Sequence, residues 1–379
     1  MTDILPGVYI QVRAEGLIVP GGISSGNIGI VGTAKQAKDS QGNDIPNLTV
    51  VPLGSYDEAK QIFGDYDAFD PTKAVEDFTL VRALEIAYSN GASSVYAVKV
   101  PTTSDTDYKA GFDKLLTEDV QIVVAAGKGL GASDTGIGNE LQSHVAQASN
   151  DDFKNERIAV IGGPLNATVA RLKANNLSDA DGRIILVAPG IRFTDAAAKN
   201  ADGKVEPKDV ILPAAYTAAA VAGLLSSRSP QVSLTNKTLS VAGLETKFNA
   251  TELKDLINAG VLALEERRGF RVVRAVTTGF NGGAFGQITT RRIVDFARKG
   301  VRSASEPYIG LLNNDRVRKA LKGSINGFLA GMVDDEQLIS YDLDVTATRD
   351  EEIRGIAKVT LTVRPTFSIE FIKVVMFLA

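Results

Sequence analysis

Apolar positions along this chain switch between two periods. Val359, Leu361 and Val363 alternate with Thr360, Thr362 and Arg364, which predicts a strand with one buried face. Phe78, Val81, Leu84 and Ala87/Tyr88 recur at helical spacing, and Asn90-Gly91 ends that helix. The same reading predicts strands over Asn27–Thr33, Thr49–Leu53, Val95–Val100, Val120–Ala125, Arg157–Ile161 and Arg183–Ala188. Helices alternate with them, over Asp57–Phe63 behind a Ser55 cap, Lys109–Leu116, Leu141–Ala148 and Thr168–Asn175. Repeated helix-to-strand units imply a mainly parallel sheet covered by helices on its faces. Ala214–Leu225 is rich in alanine and glycine, so a helix there packs closely in the interior.

Thr251 opens what reads as a third unit: a helix through Ile257, a strand over Phe270–Thr277, then two helices. In Thr289–Arg302, Ile293, Phe296, Ala297 and Gly300 face one way and Arg291, Arg298 and Arg302 the other. The next helix buries Val317, Leu321, Ile325 and Phe328 and exposes Arg318, Lys319 and Lys322. Leu338–Thr346 and Val359–Val363 form a hairpin joined through the charged segment Arg349–Arg354. Pro365 ends it, having no N–H for a ladder.

Both chain ends look extended. Residues 1–27 form an arm whose short strand holds Val8, Tyr9, Ile10 and Val12. At the other end a strand runs through Phe367, Ile369 and Phe371, and from Ile372 both faces are apolar through Val374 and Met376 to Leu378. Chain ends are normally frayed and polar, and an apolar, β-prone end is an aggregation hazard unless something pairs with it. This end is therefore either a central strand of its own domain or is held by another molecule.

Composition narrows the chemistry. With 379 residues there is room for two or three domains, each with its own core. The absence of cysteine excludes disulfides and thiolate metal sites, and a single histidine, His144, argues against a zinc site or a histidine-based dyad. In the helix Leu141–Ala148 it reads as a solvated surface histidine. Asp3 and Pro6, with no basic or apolar leader, give no signal peptide, and Ala214–Leu225 falls short of the about 20 residues a bilayer needs. These features predict a cytoplasmic protein without membrane insertion. The net charge of −4 hides an asymmetry: Glu265–Lys322 carries thirteen Arg/Lys against five Asp/Glu. Such a block either meets a negative surface or pairs with acidic neighbours inside the chain. It lacks aromatic interleaving, a zinc finger or an RNP-type motif, so direct nucleic-acid binding is not expected.

Motifs for catalysis are weak. Gly22-Ile-Ser24-Ser-Gly26 has G-x-S-x-G spacing, but a nucleophile elbow needs a strand, a helix and a histidine partner. Gly127-Lys-Gly-Leu-Gly131 follows a strand without P-loop spacing. Asp65, Asp67 and Asp70 miss the EF-hand pattern, and Asp342 and Asp344 share a strand face with no group to tune them. No catalytic, cofactor or metal residues are assigned. The alternative to a structural role is an α/β enzyme or nucleotide-binding module using the Gly127–Gly138 loop.

Several segments, taken in order, resemble the tail sheath proteins of contractile phages, tailocins and related contractile injection systems. They are Pro6-Gly7-Val8-Tyr9-Ile10, Ile30-Val-Gly-Thr33, Ala87–Val100, Glu118–Gly127, Asn155–Ile161 and Val187-Ala-Pro-Gly190, then Ala218–Arg228, Asn258–Arg274, Ile288–Ile293 and Val363–Ile372. Ala92, Lys99 and Ala126 depart from the residues common in that family. The resemblance implies a non-enzymatic subunit that forms hexameric rings around an inner tube and needs no cofactor. Its partners would be itself, the tube protein, and the baseplate and tail terminator proteins, in a virion tail or injection particle assembled in the bacterial cytoplasm. It implies an α/β and α+β multidomain fold: an arm over 1–27, an α/β part over 28–100, and a subtilisin-like domain without a catalytic site over 101–250. A tube-facing α+β domain follows over 251–365, then a strand arm over 366–379. The arms, at Val8, Tyr9, Ile10, Val12, Phe367, Ile369, Phe371, Val374 and Met376, would add strands to neighbouring sheets. Helix Thr289–Arg302 or Asp315–Gly327 would face the tube, through Arg291, Arg298, Arg302, Arg318, Lys319 and Lys322.

Overall fold

The structure is a computed structural model that describes residues 24–73, 75–131, 136–175, 177, 179–200, 202–280 and 284–378. The chain divides into a larger unit, Ser24–Phe296 with Thr366–Ala379, and a smaller one that includes Ala297–Pro365. In the larger unit the chain runs β1 (Ile28–Gly32), β2 (Val50–Leu53), α1 (Tyr56–Phe63), α2 (Leu80–Ser89), β3 (Val95–Lys99), α3 (Asp105–Lys114), β4 (Ile122–Ala125) and α4 (Gly136–Ala148). It continues through β5 (Ile158–Gly162), α5 (Val169–Lys173), β6 (Ile184–Ala188), β7 (Ile191–Asp195), β8 (Lys208–Leu212), α6 (Ala214–Ser226), β9 (Gly243–Leu244), α7 (Ala250–Asn258), β10 (Val261–Glu266) and β11 (Phe270–Val272).

Eight strands form one sheet in the order β11-β10-β6-β5-β4-β1-β3-β2. The inner pairs are parallel; β2 on β3 and β11 on β10 are antiparallel edges. The inner strands read as continuous apolar runs because helices cover both faces. Ile122 and Val124 point into a core with α2 and α6, while Val123 and Ala125 point into a second core with α3 and α4. α6 is buried from Ala214 to Leu225, as its small side chains predict. A Cβ on Gly162 would stand 2.0 Å from the Ala214 carbonyl carbon, so glycine lets β5 meet the start of α6. β7, β8 and β9 make a separate three-stranded sheet.

Local differences from the sequence reading have local causes. α3 starts at Asp105 because Ser104 accepts from the Asp107 amide, and α4 starts at Gly136, so both are longer than their apolar periodicity. Val261–Glu266 is the strand that enters the main sheet beside β6, and only Phe270–Val272 of the expected Phe270–Thr277 strand forms, as its edge. The segment from Thr251 thus contributes to the large sheet before it leads into the smaller unit.

α8 (Ile288–Ser305) is one continuous helix whose first half is counted with the larger unit and whose second half with the smaller. The smaller unit adds a 3-10 turn at Glu306–Tyr308, α9 (Asp315–Asp334), β12 (Leu338–Thr346), α10 (Arg349–Ile353) and β13 (Lys358–Pro365). β12 and β13 pair antiparallel as a two-stranded sheet, and the charged connection is the short helix α10, closed by a Thr348/Glu351 capping box. Leu338 and Leu343 are buried, and Tyr341 donates to Asn326 Oδ1 of α9 at 2.7 Å.

Candidate assembly surfaces

Beyond Pro365 no described residue joins a helix or strand. Phe367 is 58% exposed, Ile369 83%, and Val374 to Leu378 are all at or above 75%, so no sheet among the described residues takes this apolar end in. Of the two sequence readings, a central strand of its own domain has no counterpart among the described residues. Within the larger unit the Glu370 side chain, at 8% exposure, is buried and paired with Arg274. Arg274 Nε donates to Glu370 Oε2 at 2.7 Å, and its guanidinium lies over the rings of Phe280 and Phe371 at 4.5 and 5.3 Å. Periodicity did not single out either residue, although Glu370 is the only acid after Pro365.

The β12–β13 ladder is the complementary feature. No other described strand pairs with either of its outer edges. An edge presents a row of N–H and C=O groups that pairs readily with an extended segment. Val8, Tyr9, Ile10 and Val12 lie outside the described residues.

The basic helices are less uniform than their sequence suggests. Arg291 is 4% exposed, donates to Asp295 Oδ1 at 2.5 Å, and lies over the Phe285 ring. Arg183 holds the same Asp295 at 2.9 Å. Arg318 is 9% exposed and is held by Asn313, Asp315 and Glu352 at 2.9–3.0 Å. Neither faces outward, because each helix has an acidic or aromatic neighbour on the side that helical spacing marks as free. Arg298 is exposed and Arg302 half-buried. The Lys319 side chain is 81% exposed, and Lys322 lies 3.3 Å from Asp344.

The weak catalytic motifs stay apart. Ser24 Oγ donates to Gln121 Oε1 at 3.2 Å. His144 is buried rather than solvated, 3% exposed, tilted against Phe112 and accepting from Arg157 Nη1 at 3.2 Å. Burial and the Arg157 charge push its pKa down to about 3, which keeps the imidazole neutral.

The Gly127–Gly131 segment lines a cavity of about 490 Å³, with Glu76, Asp105, Lys128 and Tyr216 among its walls. It lies beyond the carboxyl ends of β4 and β5, where open α/β sheets bind ligands. Its charges are taken up internally: Lys128 pairs with Asp105 at 2.7 Å, and Glu76 with Arg82 at 3.0 Å while also accepting from Tyr216. Arg82 is fully buried and reaches Asp195 at 3.2 Å. Burial raises the Glu76 carboxyl above its ordinary value.

Residues 102–278 match the family model of the phage tail sheath protein central domain, and residues 281–379 that of the phage tail sheath C-terminal domain. The chain belongs to the phage tail sheath protein family. Sheath structures share its mixed α/β fold. The contracted helical sheath of the anti-feeding prophage superposes with a TM-score of 0.72 at 17% identity, covering 100% of this chain and 99% of that one. The contracted PVC sheath complex, from an extracellular contractile injection system, gives 0.71 at 17% identity, covering 100% and 98%. A sheath tail protein of Desulfitobacterium hafniense gives 0.64 at 13% identity, covering 96% and 98%. No curated protein matches the sheath chain.

Proposed function

We propose that this sheath protein is the repeating subunit of a contractile sheath and that copies are linked by donated strands. The observations that carry this are an exposed apolar tail and an unfilled ladder: among the described residues Val374–Leu378 has no strand partner, and β12–β13 has none on either edge. Strand addition supplies directional main-chain hydrogen bonds, with alternate side chains setting specificity. The tail of one subunit would extend the ladder of a second, and the N-terminal arm with Val8, Tyr9, Ile10 and Val12 would join from another. Such head-to-tail contacts build rings where the rotation closes and helical lattices where it does not. Hexameric rings around an inner tube, repacking into a wider lattice on contraction, complete this reading.

The remaining finer assignments follow from it. Of the basic candidates, Arg298, Lys319 and Lys322 are exposed and Arg302 half-buried, and these four would face a tube protein. Baseplate and terminator proteins would cap the assembly, in a phage tail or injection particle. The parallel sheet with helices on both faces supports a subtilisin-like ancestry for the central domain, serving as a scaffold and not as an enzyme. The internal pairing of the cavity charges favours that reading over a nucleotide site.

Deleting Thr366–Ala379 tests the proposal. The truncated chain should keep its thermal unfolding transition and form no tubes under the electron microscope. Tubular assemblies of the truncated chain would refute strand donation by the tail. A nucleotide-dependent rise in melting temperature of the full chain would favour the enzyme alternative.

A further inference from the structure

Among the described residues the tail is tied to its subunit by the Glu370 side chain, and that point divides it. Thr366–Ile369 lies between Pro365 and Glu370; Phe371–Leu378 lies beyond. Glu370 is the residue whose side chain is buried, while Phe371, Ile372 and Val374 are 72%, 83% and 78% exposed. Its partner Arg274 follows β11 at the edge of the large sheet, 96 residues earlier in the chain. Two donors of one guanidinium engage the carboxylate, and two aromatic rings flank the guanidinium. A stacked, shielded pair in which two donors meet one carboxylate oxygen differs from an ordinary exposed ion pair, which is screened and mobile.

We infer that Arg274 and Glu370 form a clamp within each subunit that fixes where the donated strand begins. This rests on the reading of the tail as a donated strand. With the clamp closed, Phe371–Leu378 is available to a neighbour, a reach of roughly 26 Å at about 3.3 Å per residue. Phe367 and Ile369 stay with their own subunit. With the clamp open, the tail would swing from Pro365 with about 16 Å more reach at the same rise per residue. Side chains alternate along a strand, so a one-residue change of starting point turns the opposite face to the acceptor. The clamp is therefore a positioning device for register: it selects which tail residues enter the shared sheet and which face they present.

Charge reversal tests it. Arg274→Glu and Glu370→Arg singly should lower the fraction of protein in tubes about ten-fold, equivalent to about 1.4 kcal/mol. The double variant R274E/E370R should return to within about two-fold of the parent on the same scale. An equimolar mixture of the two single variants should stay defective. Rescue by the mixture would show that the pair forms between subunits and overturn the clamp, as would single variants that polymerise normally or a folded double variant that does not recover.

Monomers give a second readout in case the reversals misfold. Chymotrypsin should cut the parent after Phe377 much faster than after Phe367, and Glu370→Gln should bring the two rates together. Equal rates in the parent would overturn the clamp. A chain truncated after Glu370 separates the two ideas: if it still forms tubes, strand donation by the tail fails. If it does not while the charge variants assemble normally, the clamp alone fails.

Discussion

The large sheet and the tail use the same kinds of side chain to opposite ends. In β4, Ile122, Val123 and Val124 are fully buried between two helical layers. In the tail, Val374, Val375 and Met376 are 75–80% exposed. Charge is handled in the same contrasting way. Arg82 lies fully buried among Glu76, Asp195 and two aromatic rings, whereas Lys373, past the clamp, is exposed. The first region satisfies its groups inside one chain; the second leaves them exposed. A substitution in the sheet should therefore register as subunit stability, and one in the tail as assembly.

The largest expected effect breaks the buried charge cluster. Arg82→Met leaves Glu76 and Asp195 buried without their cation, and should cost about 3–5 kcal/mol in chemical denaturation. A cost below about 1 kcal/mol would mean the cluster is wetter than its burial implies. Next, Gly162→Val drives a side chain into the backbone at the start of α6 and should cost about 3 kcal/mol, again without touching the tail.

A smaller effect depends on pH. The folded-state pKa of His144 is pushed down to about 3, so below its ordinary value of 6.5 only the unfolded chain takes up the proton. Stability contributed by this group is present above pH 6.5 and is lost as pH falls towards the folded value, at up to about 1.4 kcal/mol per pH unit. Glu76 and Glu85, raised by burial, act with the opposite sign: the folded state holds their protons longer, so acidification towards the ordinary glutamate range stabilises it. Comparing denaturation of the parent and His144→Gln from pH 7 to 4.5 isolates the first contribution. A parallel pH dependence in the two proteins would show that His144 is protonated in the folded state.

The smallest effect on stability is the sharpest test of the contrast. Ile372→Asp should change subunit unfolding by no more than about 0.5 kcal/mol, because the side chain is already 83% exposed. It should abolish tube formation, because a carboxylate would enter the shared sheet. A marked loss of subunit stability would show that the tail packs on its own chain.

Most of the central architecture was legible from periodicity. Strands such as β1, β3, β5 and β6 stand within a residue or so of their apolar runs, and Ser55 caps α1 as its spacing predicts. Helix starts were less legible. α3 begins four residues before its predicted start, since a Ser104 cap and acidic first turn extend it beyond its apolar stripe. β10 was missed beside Phe270–Val272 because a short apolar run between a helix and a turn has no period of its own. The basic helices misled for a related reason. A helical projection gives the direction of Arg291 but not the presence of Asp295 and Phe285 there.

The sequence by itself determined which segments are apolar, with what period, and that the tail needs cover; these are local properties of neighbouring residues. The order of its segments also carried the family. Only the tertiary structure decided that the large sheet has no place for the tail, that Arg291 and Arg318 are occupied within the subunit, and that Glu370 is gripped by Arg274. Those facts depend on which distant groups the fold brings within a few ångströms of one another. No periodicity records a contact across 96 residues.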